Sequence, residues 1–120
     1  MSVRKVLCVD DARADLTNIE KIVSGANYLV VTAGSGKEAL DKVKSEKPDL
    51  IFMDVNMSDM DGFATTRELK KNPETKGIPI VFVTSKSQKA DRVWAQMQGG
   101  AGFVSKPYGA EEILQHLKAF

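Results

Sequence analysis

Four places in the sequence put ionic or hydroxyl side chains directly after a short apolar run. Asp10-Asp11 follow Val6–Val9; Asp54, with Asn56 close behind, follows Leu50–Met53. Thr84-Ser85 follow Ile78–Val83, and Lys106-Pro107 follow Gly102–Val104. A single aspartate after a strand is ordinarily a turn or helix-capping residue. The conjunction carries the information: an acid pair, a lone acid, a hydroxyl and a lysine each stand at the same end of a different run. Three carboxylates brought together repel, and burying them without compensation is costly. Lys106 supplies one compensating charge. A hard divalent cation is the natural second, because carboxylates, carbonyls and water suit Mg²⁺. Mg²⁺ keeps several waters and takes phosphate oxygens as ligands, so the set suits delivery of a phosphoryl group to a carboxylate.

Whether these residues meet depends on the elements that carry them. The apolar runs, with Tyr28–Thr32 as a fifth, are short, β-branched and apolar throughout rather than alternating. Strands buried on both faces look like this. Pro79 falls among the first residues of its run, where a missing N–H is tolerated. Helical patterns separate the runs. Leu16, Ile19, Ile22 and Val23 mark a first helix, and Ala39, Leu40 and Val43 a second. Ser35 with Glu38 fits a capping box for the second, and Lys47-Pro48 stops it. The third spans about Gly62 to Lys71 and ends at Asn72-Pro73. Val93, Trp94 and Met97 mark the fourth, closed by Gly99-Gly100, with Trp94 and Met97 read as core. Ile113, Leu114 and Leu117 mark a fifth, which lacks a Ser, Thr or Asp cap at Tyr108-Gly109-Ala110. Strict β-α alternation with right-handed crossovers implies a parallel sheet covered by helices on both faces. Five strands favour a doubly wound α/β fold of order 2-1-3-4-5, with ligands bound beyond the carboxyl ends of strands 1 and 3. Neighbouring strands ~4.8 Å apart then bring Asp10, Asp11 and Asp54 together.

The composition bounds the remaining possibilities. At 120 residues the expectation is one domain, 1–120, with no separate output domain. Seventeen Lys+Arg against 16 Asp+Glu give a net charge of +1, which argues against a nucleic-acid binder and a basic membrane-surface protein. No apolar run approaches the ~20 residues of a bilayer span. The one cysteine, Cys8, lies within an apolar run and reads as a core filler in a reducing, cytoplasmic setting. His116, the one histidine, reads as a solvent-facing residue of the last helix, away from the strand ends.

Together, Val9-Asp10-Asp11, Met53-Asp54-Val55-Asn56-Met57-Ser58-Asp59-Met60-Asp61-Gly62, Val83-Thr84-Ser85 and Phe103-Val104-Ser105-Lys106-Pro107 closely resemble the CheY-like receiver domain of bacterial response regulators. The likeness extends over essentially the whole chain. It implies that Asp54 is a phosphoacceptor served by a histidine kinase, and that Asp10 and Asp11 bind Mg²⁺ with the Asn56 backbone carbonyl. It implies that Thr84 and Lys106 bond the phosphoryl oxygens, and that Lys106-Pro107 is a cis peptide aiming the lysine into the site. Phe103 matches an aromatic switch that moves inward when Thr84 moves. The face of the fourth helix, fifth strand and fifth helix is where a downstream protein target docks in the family. Asn56 and Lys86 match positions that influence phosphate lifetime.

One departure is Ser58, where many receivers carry a proline that would stiffen the loop. The stretch from Thr84 to Trp94, with Lys86, Lys89 and Arg92, resembles stand-alone receivers of pilus and twitching-motility systems, and motility or chemotaxis-type signalling is the pathway expected. Two other readings share the sheet. An aspartyl phosphatase would need a titratable acid two residues after its nucleophile, where Asn56 stands. A flavodoxin-like carrier would need a Ser/Thr/Gly-rich phosphate loop where Asp10-Asp11 stand. The expectation is therefore a phosphoacceptor rather than an enzyme acting on an external substrate.

Overall fold

A computed structural model describes residues 3–58, 60–85 and 89–120. Asp59 and the stretch 86–88, which includes Lys86, lie outside the described residues. The order is β1 (Lys5–Val9), α1 (Arg13–Gly25), β2 (Leu29–Ala33), α2 (Gly36–Glu46), β3 (Leu50–Asp54), α3 (Gly62–Lys71), β4 (Ile80–Thr84), α4 (Lys89–Met97), β5 (Gly102–Ser105) and α5 (Ala110–Ala119). The strands form one parallel sheet in the order β2-β1-β3-β4-β5, as expected.

The pleat divides the strand residues between two cores. Leu7, Val9, Ile51, Met53, Ile80 and Phe82 pack against Ala39 and Val43 of α2, Leu69 of α3 and Ala95 of α4. Val6, Cys8, Leu50, Phe52, Val81, Val83 and Val104 pack against Ile19 and Val23 of α1 and Ile113 and Leu117 of α5. Successive residues of β1, β3 and β4 thus serve opposite faces, which is why these strands are apolar throughout. Burial pushes the Cys8 thiol up to about 12, with the charge of Glu20 adding to it, so it stays protonated as a small apolar filler.

Local chemistry sets the helix ends. The Glu38 N–H donates to Ser35 Oγ (3.0 Å), and Glu38 Oε1 accepts from the Gly34 N–H (2.9 Å). The reciprocal half of the box therefore reaches one residue further back than expected. Lys47 ends α2 with φ 49°, where the following proline disfavours the right-handed helical region. Asp61 caps α3 by accepting from the Ala64 N–H at 2.7 Å. Gly109 opens α5 without a side-chain cap, as the sequence indicates.

The fourth helix corrects the sequence reading. Val93, Trp94 and Met97 are 48%, 49% and 69% exposed, and Ala95 is the residue of α4 that faces the sheet. The cause is close approach. Any Cβ at Gly100 would run into the Phe82 ring, 2.7 Å away, so only small residues fit between this end of α4 and the sheet. The Trp94 ring instead lies edge-on to Phe63 of α3, which is itself edge-on to Phe82. His116 is also placed differently: it is partly buried, with ring atoms 3.0 Å from where a Cβ on Gly102 would stand. Gly102 begins β5, so this histidine lies at the far end from Lys106.

Candidate functional site

The register brings the carboxyl ends of β1, β3, β4 and β5 into line, pairing Val9 with Met53, Asp54 with Val83, and Thr84 with Ser105. Asp10 and Asp54 are 5% and 4% exposed, Thr84 is 1% exposed, and Asp11 is open to solvent. The Asp10 N–H continues the ladder to the Ala33 carbonyl (3.1 Å). Asp10 Oδ1 accepts from the Ala12 N–H at 2.9 Å, which fixes the turn into α1. Asp11 Oδ2 accepts from the Ser58 N–H at 3.0 Å, tying the β1 end to the loop after β3. The Lys106 N–H donates to the Thr84 carbonyl (2.8 Å), and the Lys106-Pro107 peptide is cis.

The Lys106 ammonium stands among carboxylates, with Nζ 2.8 Å from Asp10 Oδ2, 3.0 Å from Asp15 Oδ2 and 3.6 Å from Asp54 Oδ1. Burial alone would lower its pKa. The hydrogen bonds it donates to Asp10 and Asp15 and the charges of Asp54 and Asp10 outweigh burial and raise it, so the ammonium stays charged. The Asp54 pKa is raised too, but for a carboxyl that favours the neutral form. Burial first, then the charge of Asp10, raise it to about 7, against the opposing pull of Lys106. Negative charge is in excess here. Asp10, Asp11 and Asp54 each offer a carboxylate oxygen, all within 4.8 Å of one another. A close set of hard oxygens, one carboxylate destabilised by burial and by a neighbouring charge, fits a divalent cation of the Mg²⁺ type.

Backbone contacts fix the floor of the site. The Gly62 N–H donates to the Val55 carbonyl at 2.9 Å. A Cβ on Gly62 would collide with the Asp54 carbonyl oxygen, so α3 reaches the end of β3 only because this residue is glycine. Asn56 is exposed two residues beyond Asp54. Phe103 is partly buried, with the Arg92 guanidinium 4.7 Å from its ring centroid. Arg92 Nη2 also donates to Ser105 Oγ at 3.0 Å, so β5 and α4 are joined beside the ring.

The response regulator receiver domain model matches residues 6–118. The chain belongs to the response regulator receiver domain family. This receiver is 33% identical to protein PilH of Pseudomonas aeruginosa, over 96% of its own length and 95% of that protein's. It is 30% identical to protein PilG of the same organism, over 96% and 85% of the two lengths. It also spans about half or less of several longer relatives. The crystal structure of the Vibrio cholerae chemotaxis protein CheY4 superposes on this receiver with a TM-score of 0.92 at 30% identity, covering 98% of each chain. The sequence resemblance, down to the stand-alone pilus subgroup, agrees with these likenesses.

The structure brings together Asp10, Asp11, Asp54, Thr84 and Lys106 from four strand ends, with Asn56 and Phe103 on the flanks. Three contributors were not singled out from the sequence. Asp15 carries no motif signal, although it stands one helical turn beyond Asp11, on the side toward Lys106. The Ser58 N–H is a backbone donor, which residue types do not advertise. Arg92 was read as part of a charged stretch, not as the cover of Phe103.

Proposed function

We propose that this receiver accepts a phosphoryl group on Asp54 from the phosphohistidine of a partner kinase. An Asp54 oxygen attacks phosphorus, the P–N bond breaks, and its electron pair leaves on the imidazole. Asp10, Asp11 and Asp54 with the Asn56 carbonyl would hold Mg²⁺, which supplies charge neutralisation for the phosphoryl oxygens. Lys106 pairs with those oxygens, and Thr84 bonds them by its hydroxyl. The rearrangement gives Phe103 an inward position, and the signal is a shift between two surface populations. The observation that carries this reading is a buried Asp54 inside a carboxylate triad, with one ammonium 3.6 Å away.

The chain acts as a single receiver over 1–120 in the cytoplasm, and no helix of the described residues is long and apolar enough to cross a membrane. It signals in a motility or chemotaxis-type pathway, a reading supported by its likeness to the Vibrio chemotaxis protein and by the resemblance of its Thr84–Trp94 stretch to pilus receivers. Its downstream protein target docks on α4, β5 and α5, where α4 offers exposed Val93 and Met97 beside Arg92. The near-neutral net charge of +1 favours a protein partner over nucleic acid. The test is intact mass spectrometry after incubation with Mg²⁺ and a small acyl phosphate. One phosphoryl group is expected on the wild type, none on Asp54→Asn and none in excess chelator. Equal uptake by Asp54→Asn would refute the assignment.

A further inference from the structure

We infer that Asp15 is a positioning residue for Lys106, holding the ammonium beside Asp54 through a bond that uses none of the carboxylates able to take a metal. The inference deepens the reading of Asp54 as phosphoacceptor and rests on it.

An ammonium has three N–H donors. Those of Lys106 face Asp10 at 2.8 Å, Asp15 at 3.0 Å and Asp54 at 3.6 Å. Asp10 and Asp54 belong to the triad whose oxygens converge, and Asp15 does not. Of the two short bonds, only the one to Asp15 is therefore independent of what the triad holds. The helix explains why Asp15 is available. It is the third residue of α1, where an acidic side chain ordinarily turns back to the N-cap N–H. That N–H belongs to Ala12 and already donates to Asp10 Oδ1 at 2.9 Å. Relieved of capping, Asp15 reaches across to Lys106 instead. Its place in the first turn of α1 means that the helix fixes its Cα. Asp15 and Lys106 also line one cleft of about 350 Å³ with Asn18, Ser85, Pro107 and Tyr108. Asp15 is half-exposed, so water screens the pair and the effect is moderate.

The test is a double-mutant cycle on the full chain. Phosphoryl uptake from a small acyl phosphate at saturating Mg²⁺ is timed by intact mass for wild type, Asp15→Asn, Lys106→Ala and the double variant. Asp41→Asn, which removes an exposed charge from α2, controls for net charge. Asp15→Asn is expected to slow uptake about threefold or more, with no further slowing in the Lys106→Ala background. Wild-type uptake by Asp15→Asn, or equal slowing in both backgrounds, overturns the inference. A second readout needs no phosphate: the ¹H–¹⁵N signal of the Lys106 ammonium in Mg²⁺-saturated protein, assigned by its loss in Lys106→Ala. It is expected to persist in wild type and to broaden away in Asp15→Asn. An unchanged signal in Asp15→Asn overturns the role of Asp15. Absence of uptake by wild type sinks the phosphoacceptor reading instead.

Discussion

Two aspartates bracket β3 and behave oppositely. Asp49, just before the strand, is exposed, and its Oδ2 accepts from the Arg4 N–H at 2.9 Å and the Lys5 N–H at 3.0 Å. Those two amide donors hold its pKa below the ordinary carboxylate value. Asp54, five residues later and last in the strand, is buried beside Asp10 and Asp11, and its pKa rises to about 7. One carboxylate is supplied with donors and stitches the start of β1 to β3. The other is buried beside like charges that Lys106 only partly offsets, an arrangement that weakens the fold unless a further cation joins it. The sheet thus separates structural from functional acids by end, not by residue type.

The harshest way to break this contrast is to disturb the backbone under Asp54. Gly62→Val would drive a side chain into the Asp54 carbonyl, and it is expected to cost roughly 3 kcal/mol, read as a fall in the urea midpoint. A wild-type midpoint would mean that α3 can move away from the strand and that the site is not rigidly floored.

The next effect tests the sign. A carboxyl whose folded pKa is raised contributes most to stability below its unfolded value near 3.8, and that contribution is lost as the pH rises through about 7. In chelator at pH 8, Asp54→Asn is therefore expected to stabilise the protein by about 1–2 kcal/mol, ~3–8 °C in Tm, allowing for screening by water. Saturating Mg²⁺ should narrow the gap by stabilising the wild type more. A variant less stable than wild type in chelator would show that Asp54 is held by donors, as Asp49 is.

Asp49 should answer with the opposite sign and a smaller size. Its lowered pKa means that its contribution is present above pH ~4 and lost as the pH falls through the depressed value. Asp49→Ala at pH 7 is expected to cost less than ~1 kcal/mol, since the carboxylate is exposed and water can replace it at the two amides. The difference from wild type, followed by thermal melts, should shrink on acidification to pH 3.

The contrast also marks how far the sequence can be read. The fold was legible because β1, β3 and β4, apolar without alternation, read as doubly covered strands with the motif residues near strand ends; the edge strand β2, with Leu29 65% exposed, departs from that expectation because one of its sides has no neighbouring strand. Asp10, Asp11, Asp54, Thr84 and Lys106 were legible for the same reason: a parallel sheet gathers whatever follows its strands. Trp94 was not, because helical spacing defines a stripe without saying which side faces the sheet. Here Gly100 and the Phe82 ring leave room only for Ala95 beneath α4. Asp15 was hidden because its role depends on Ala12 being satisfied by Asp10, a contact between backbone and side chain that residue types alone do not reveal.

Asp11 lies between the two extremes, and Ser58 makes it so. It belongs to the carboxylate triad like Asp54, yet one of its oxygens accepts a backbone N–H like Asp49. A donor on one oxygen orients the other, and such outer bonds hold ligating carboxylates in place. Ser58→Pro deletes the N–H, whereas Ser58→Ala keeps it. Calorimetric titration with Mg²⁺ is expected to show affinity lowered about two- to threefold in Ser58→Pro and unchanged in Ser58→Ala, the stiffening by proline recovering part of the loss. Equal affinities in the two variants would mean that the Ser58 amide does not orient Asp11. Tighter binding in Ser58→Pro would mean that the amide competes with the cation for the same oxygen.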